Sequence, residues 1–176
     1  MLQRHAGFTL IELLMSVAIV ALLAGIGLPP MGRLVERHRA NVAMNTLTAH
    51  MQLARIAAIS RNRRAVLCPT SDGAHCVAGN DWSPGWMMFI DEDGNRQPDH
   101  ADDILQVDLQ AASPHLRITS NSGRAQLRYL PDGTSAGSNL TVSVCTPDGQ
   151  LLGQVIVNNI GRPRSQRPAV ATACPA

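Results

Sequence analysis

Residues 8–28 form an unbroken apolar run whose one charge is Glu12. At about 1.5 Å per helical residue the run reaches roughly 31 Å, which matches a bilayer core of about 30 Å. A run of that length marks a membrane span rather than a helix buried in a small soluble core. It is preceded by the short polar segment 1–7, with Arg4 and His5, and followed by Pro29-Pro30 and a further helical pattern. A cleaved secretory signal would place small residues after the apolar stretch, so this run is expected to be retained as an anchor. A carboxylate about four residues inside such a helix costs about 2.5–3.5 kcal/mol on insertion, so Glu12 calls for a partner or a function.

Beyond the prolines, apolar residues recur at Leu34, Val42, Leu47, Met51, Ala54, Ala58 and Ile59. That spacing predicts an amphipathic helix continuing to about Asn62, its apolar face on a sheet and its arginines mostly solvated. From Arg64 the pattern changes to short apolar runs at 65–68, 86–90, 104–107, 116–118, 125–129, 140–144 and 154–157. Several alternate, and Asp93-Gly94, Pro131-Asp132-Gly133 and Pro147-Asp148-Gly149 supply turns, so an antiparallel β domain is expected. The organisation is then a leader at 1–7, a transmembrane helix at 8–28, its amphipathic continuation at 29–62 and a β-rich domain at 63–176, an α+β chain with one folded domain.

The formal charge of +2 is too small to announce a nucleic-acid binder, yet the charges are segregated. Seven arginines face only Glu36 between Arg33 and Arg64, nine acids face only Arg96 between Asp72 and Asp108, and six arginines face two aspartates from Leu109 onward. Every basic side chain other than histidine is Arg, the residue suited to bidentate contact with phosphate or carboxylate. Near the end, Asn158-Asn159-Ile160-Gly161-Arg162-Pro163-Arg164-Ser165-Gln166-Arg167-Pro168 places three arginines in six residues. Gly161 permits a turn there and the prolines keep the segment extended, so Arg162, Arg164 and Arg167 could face successive phosphates.

Four cysteines, Cys68, Cys76, Cys145 and Cys174, all follow the apolar run and read as disulfides in an exported domain. Of three possible pairings, Cys68 with Cys76 and Cys145 with Cys174 are favoured, the first bracketing a Gly-containing turn and the second tying down a tail. A zinc site is disfavoured by the absence of a CxxC pair. The carboxylates of Asp91-Glu92-Asp93-Gly94-Asn95, Asp99, Asp102 and Asp103 are dense, but Gly94 falls too early for an EF-hand and no Glu closes the loop. His38, His50, His75, His100 and His115 are scattered, with no Ser-His-acid arrangement. No enzymatic activity, catalytic residue, metal or cofactor is expected.

Gly7-Phe8-Thr9-Leu10-Ile11-Glu12-Leu13 resembles the processing signature of type IV pilins and type II secretion pseudopilins. The resemblance implies cleavage by prepilin peptidase between Gly7 and Phe8, methylation of the Phe8 amine, and Glu12 as the assembly carboxylate. In a packed bundle Glu12 could pair with the amine of a neighbouring pilin subunit, which offsets two desolvation costs together. It further implies the type IV pilin-like fold, inner-membrane residence before assembly and then a pilus, periplasmic or extracellular location. Trp82-Ser83-Pro84-Gly85-Trp86-Met87-Met88-Phe89-Ile90-Asp91 followed by an acidic loop is similar to the central pattern of the FimT/GspH group of minor pilins and pseudopilins, with the two Trp read as core packing. Gly161-Arg162-Pro163-Arg164 resembles the GRxR motif of FimT-type minor pilins, the branch implicated in capturing DNA for natural transformation. The function so implied is a minor pilin that joins a pilus and binds extracellular DNA non-specifically through Arg162, Arg164 and Arg167. The competing reading is a structural pseudopilin of a type II secretion machine, or a pilus-priming subunit without DNA binding.

Overall fold

The computed structural model describes residues 9–27, 29–109 and 114–175. They divide into two compact units, residues 1–36 and 37–176.

In the first unit α1 runs from Leu10 to Gly27. Thr9 precedes it, and the Glu12 amide donates to the Thr9 hydroxyl at 3.4 Å and to the Thr9 carbonyl at 3.1 Å. Thr9-Leu10-Ile11-Glu12 thus reads as a Thr-x-x-Glu helix start, with an acid where the macrodipole favours it. Leu10, Leu13, Val17 and Leu23 are exposed on the single chain. Among the described residues no helix is long and apolar enough to cross a membrane. α1 covers 18 residues, roughly 27 Å; the two ends of the apolar run, Phe8 and Leu28, lie outside the described residues.

α2 spans Pro29–Arg61, so the two prolines stand at a helix start, where a missing N–H costs nothing. It ends on Asn62 at φ 50, a left-handed cap, with the Arg63 amide returning to the Ala58 carbonyl at 3.2 Å. Within the second unit the buried stripe is Ala40, Ala43, Met44, Leu47, Met51, Ala54 and Ala58. The expected face holds at Leu47, Met51, Ala54 and Ala58 and is corrected at Val42 and Ile59, which are 51% and 49% exposed, with Ala40, Ala43 and Met44 buried instead. Small alanines won the inner face because they let the helix approach the strands closely; at Gly153 even a Cβ would run into the Met44 thioether.

Eight strands follow: β1 Arg64–Pro69, β2 Trp86–Asp91, β3 Ile104–Asp108, β4 Arg117–Ser120, β5 Leu127–Tyr129, β6 Leu140–Cys145, β7 Leu151–Val157 and β8 Pro163–Gln166. They form two four-stranded sheets rather than one, ordered β3-β2-β1-β5 and β4-β6-β7-β8, every pairing antiparallel. One core joins the α2 stripe to Leu67, Trp86, Met88 and Tyr129 of the first sheet and to Ile118, Leu140, Val142, Val155 and Val157 of the second. A smaller cluster, Val66, Cys68, Met87 and Phe89, fills the other face of the first sheet. Trp82 and Trp86 are both buried, and Trp86 Nε1 donates to His50 Nδ1 at 2.8 Å.

Cys68 is joined to Cys76 and Cys145 to Cys174. The second bond fastens the C-terminal segment beside the β6–β7 turn, where the Cys174 amide also donates to the Gly149 carbonyl at 2.8 Å.

Candidate nucleic-acid interface

The segment read as an extended turn is a strand. β8 pairs with β7 through Val157↔Pro163, Ile156↔Arg164, Val155↔Ser165 and Gln154↔Gln166, and forms the edge of the second sheet. Proline at the first residue of an edge strand removes no ladder hydrogen bond that the sheet needs.

The turn before it is held by glycine. Gly161 is buried, adopts φ +82, and donates its amide to the Asn158 carbonyl at 2.8 Å. A Cβ there would collide with the Gly133 carbonyl oxygen and lie 3.1 Å from the Tyr129 ring. The neighbouring loop closes the same corner, because Ser135 donates its amide to the Asn159 carbonyl at 2.9 Å and Arg55 Nε donates to the Gly133 carbonyl at 2.8 Å. Burial raises the Tyr129 hydroxyl pKa, with nearby Arg55 opposing weakly, so the ring stays neutral beneath the turn.

β7 alternates buried and half-buried from Leu151 to Val157, and past the irregular pairing at its start Gln154 and Ile156 face away from the core. Arg164 shares that outer face with Ile156 and Thr141, its cross-strand neighbours. A polar ladder continues it: Gln166 Nε2 donates to Gln154 Oε1 and Gln154 Nε2 donates to Ser143 Oγ, both at 3.0 Å.

The three terminal arginines are not equivalent. Arg167 spends its guanidinium on α2, donating from Nε and Nη2 to Asn41 Oδ1 at 3.1 and 2.7 Å. Arg162 and Arg164 are exposed and have no hydrogen-bond or ion-pair partner among the described residues. Arg164 lies on β8, whereas Arg162 stands one residue before it, in the turn that Gly161 opens. Of the remaining sites, Glu12 lies in the first turn of α1, while Gly7 and Phe8 lie outside the described residues. The acidic loop uses its carboxylates on itself: Asp91 Oδ1 accepts from the Gly94 amide at 2.9 Å, and Asn95 Nδ2 donates to Asp93 and Asp99 at 2.9 and 3.0 Å. Among the described residues no group of three or more metal-ligating side chains comes together.

A helix laid on two antiparallel sheets, behind an apolar N-terminal segment, is the build of a type IV pilin-like subunit. The family described as type II transport protein GspH matches residues 43–161, and the prokaryotic N-terminal methylation motif matches residues 2–28. The chain belongs to the GspH family, within the type IV pilin-like minor pilins and pseudopilins. It is 26% identical over 162 residues to the pilin-like protein PilA1 of Thermus thermophilus, covering 90% of this chain and 96% of that one. Its fold is similar to that of the Pseudomonas aeruginosa type IV minor pilin FimU, with a TM-score of 0.60, 20% identity and coverage of 80% of this chain and 98% of that one. It is also similar to the Vibrio cholerae type II secretion minor pseudopilin EpsH, with a TM-score of 0.52, 15% identity and coverage of 75% and 99%. Membership implies assembly with other pilin subunits, and the methylation motif implies processing by prepilin peptidase.

Proposed function

We propose that this chain is a minor type IV pilin that is cleaved between Gly7 and Phe8, is held in the inner membrane by residues 8–28, joins a pilus, and binds extracellular DNA non-specifically through Arg162 and Arg164. The observation that carries the DNA contact is the pair of exposed arginines without a protein partner among the described residues, Arg164 on the edge strand β8 and Arg162 in the turn that enters it, beside the buried Gly161. Rigid mounting lowers the entropy lost when phosphate is bound. A strand edge bearing guanidinium groups reads phosphates and not base edges, so binding is sequence-independent. Because Arg167 is committed to Asn41, it contributes diffuse charge rather than a third contact.

Two phosphate contacts give a log-log salt slope of about −1.8, hence a roughly twelvefold loss of affinity between about 50 and 200 mM salt. Three would have given about −2.7 and roughly fortyfold. The test is fluorescence anisotropy of labelled duplex with the detergent-solubilised chain, comparing wild type with the Arg162→Gln, Arg164→Gln double variant over a salt series. Equal affinity and slope in the double variant would remove this strand as the site. The match to the type II transport family supports a second reading, a structural pseudopilin without DNA binding, and that result would favour it.

A further inference from the structure

A second group of arginines gathers far from β8 in sequence. A recess of about 460 Å³ is lined by Arg96, Arg124 and Arg128 together with Cys76, Gln97 and Gln126. No carboxylate and no aromatic ring is among its described lining residues. Its walls are cross-braced: Gln97 Oε1 accepts from the Cys76 amide at 2.8 Å, Gln97 Nε2 donates to the Cys76 carbonyl at 3.2 Å, and Cys76 is fixed to Cys68 on β1. Arg124 is 7% exposed and braces the wall: its Nε donates to the Gln126 carbonyl at 3.4 Å and its Nη2 to Ser135 Oγ at 3.0 Å, while Nη1 is buried beside Gly137 without a hydrogen-bond partner among the described residues, so Arg96 and Arg128 are the guanidinium groups left for a ligand.

The recess is short of negative charge. Burial, then the repulsion of Arg96 and Arg64, lowers the Arg128 pKa, and burial followed by Arg128 lowers that of Arg124. Asp91 is the acid that opposes this at Arg128, but its Oδ1 already accepts from the Gly94 and Arg96 amides at 2.9 and 3.3 Å. A fold that holds like charges together around a braced recess leaves a free-energy gain for an anion that enters it. Guanidinium groups match tetrahedral oxyanions bidentately, and without an aromatic wall there is no platform for a base.

We propose that the Arg96–Arg124–Arg128 recess binds a phosphate-class oxyanion, either free phosphate or a phosphodiester of a nucleic-acid backbone. The site does not depend on the reading of β8.

Equilibrium dialysis of the detergent-solubilised full chain against radiolabelled inorganic phosphate, at constant ionic strength in chloride, tests it. Wild type should take up one phosphate per chain saturably and unfold at a higher temperature in phosphate than in chloride. Arg128→Gln should weaken uptake by roughly tenfold, the loss expected for one charge-assisted contact. Arg96→Asn should act similarly, asparagine being suited to the φ of 70 at that position. The source is separated with a short duplex added to the Arg162→Gln, Arg164→Gln chain. Displacement of labelled phosphate assigns the recess to a backbone phosphodiester, and its retention assigns it to free phosphate. Absence of saturable uptake by wild type, or uptake unchanged in both recess variants, would overturn the proposal.

Discussion

The two sheets meet solvent in opposite ways. In the first, β1 is buried from Ala65 to Pro69 and β2 along its whole length. α2 covers one face, and the other carries its own apolar cluster beneath the loop tied down by Cys68–Cys76. In the second, β7 alternates and β8 is half-buried only at Pro163, so one face stays open. A sheet covered on both sides serves as scaffold, whereas a half-covered sheet offers a ridge of side chains fixed by backbone pairing. The candidate DNA contact falls on the half-covered sheet because exposed arginine there costs little desolvation.

Matched truncations on the two outer faces should break this comparison if it is wrong. Phe89→Ala, on the covered face, is expected to cost about 3–5 kcal/mol. Ile156→Ala, on the open face, should cost less than about 1 kcal/mol. Denaturant unfolding of both variants decides it, and equal losses would mean that the second sheet is covered as well.

The disulfides sharpen the contrast next. Replacing Cys145 and Cys174 together by Ser should cost roughly 3.5 kcal/mol if unfolded-chain entropy dominates, against roughly 2.5 for Cys68 and Cys76, because the longer loop constrains more chain. Limited proteolysis should then reach the segment beyond Arg167 first; a tail that remains resistant would show that Asn41 and the Gln150↔Ala173 bridge hold it unaided.

Gly161→Ala combines a positive φ with a collision at the Gly133 carbonyl, and should cost about 1–3 kcal/mol while also weakening DNA binding. Unchanged melting would mean that the corner relaxes freely.

A smaller effect is expected at His50. Burial lowers its pKa below 6.5, with Asp108 opposing, so the folded chain prefers the neutral ring that accepts from Trp86. Its stability contribution is complete above 6.5 and is lost as pH falls from there through the lowered folded value. Asp72 and Asp132, whose pKa values are depressed chiefly by side-chain hydrogen bonds from His75 and Thr134, lose theirs only below 3.8, so the windows separate. Melting temperature should therefore decline as pH falls through 6.5, and His50→Gln, which keeps an acceptor, should flatten that decline. The smallest change belongs to Arg162→Gln with Arg164→Gln, whose stability should stay within about 0.5 kcal/mol of wild type. A larger loss would show that these arginines support the fold.

The local order of the chain determined its elements. Seven short apolar runs fall on β1 to β7, the prolines mark a helix boundary, and the cysteines nearest one another in sequence are the ones joined. Periodicity and turn chemistry act over a few residues, so they are readable without partners. The sorting of like residues was not readable. Arg162, Arg164 and Arg167 look equivalent in sequence, and only the approach of Asn41, 126 residues away, separates the third from the first two. The stripe on α2 is legible at Leu47, Met51, Ala54 and Ala58 but not at its start, because side-chain hydrophobicity ranks Val42 above Ala43, whereas contact distance to the strands selects the smaller residue. The recess of Arg96, Arg124 and Arg128 left no sequence signal, since Arg96 comes from a segment separate from that of Arg124 and Arg128 and the two meet only in the folded chain. Burial, charge crowding and hydrogen-bond partners are properties of neighbours in space, and tertiary packing alone decides who those neighbours are.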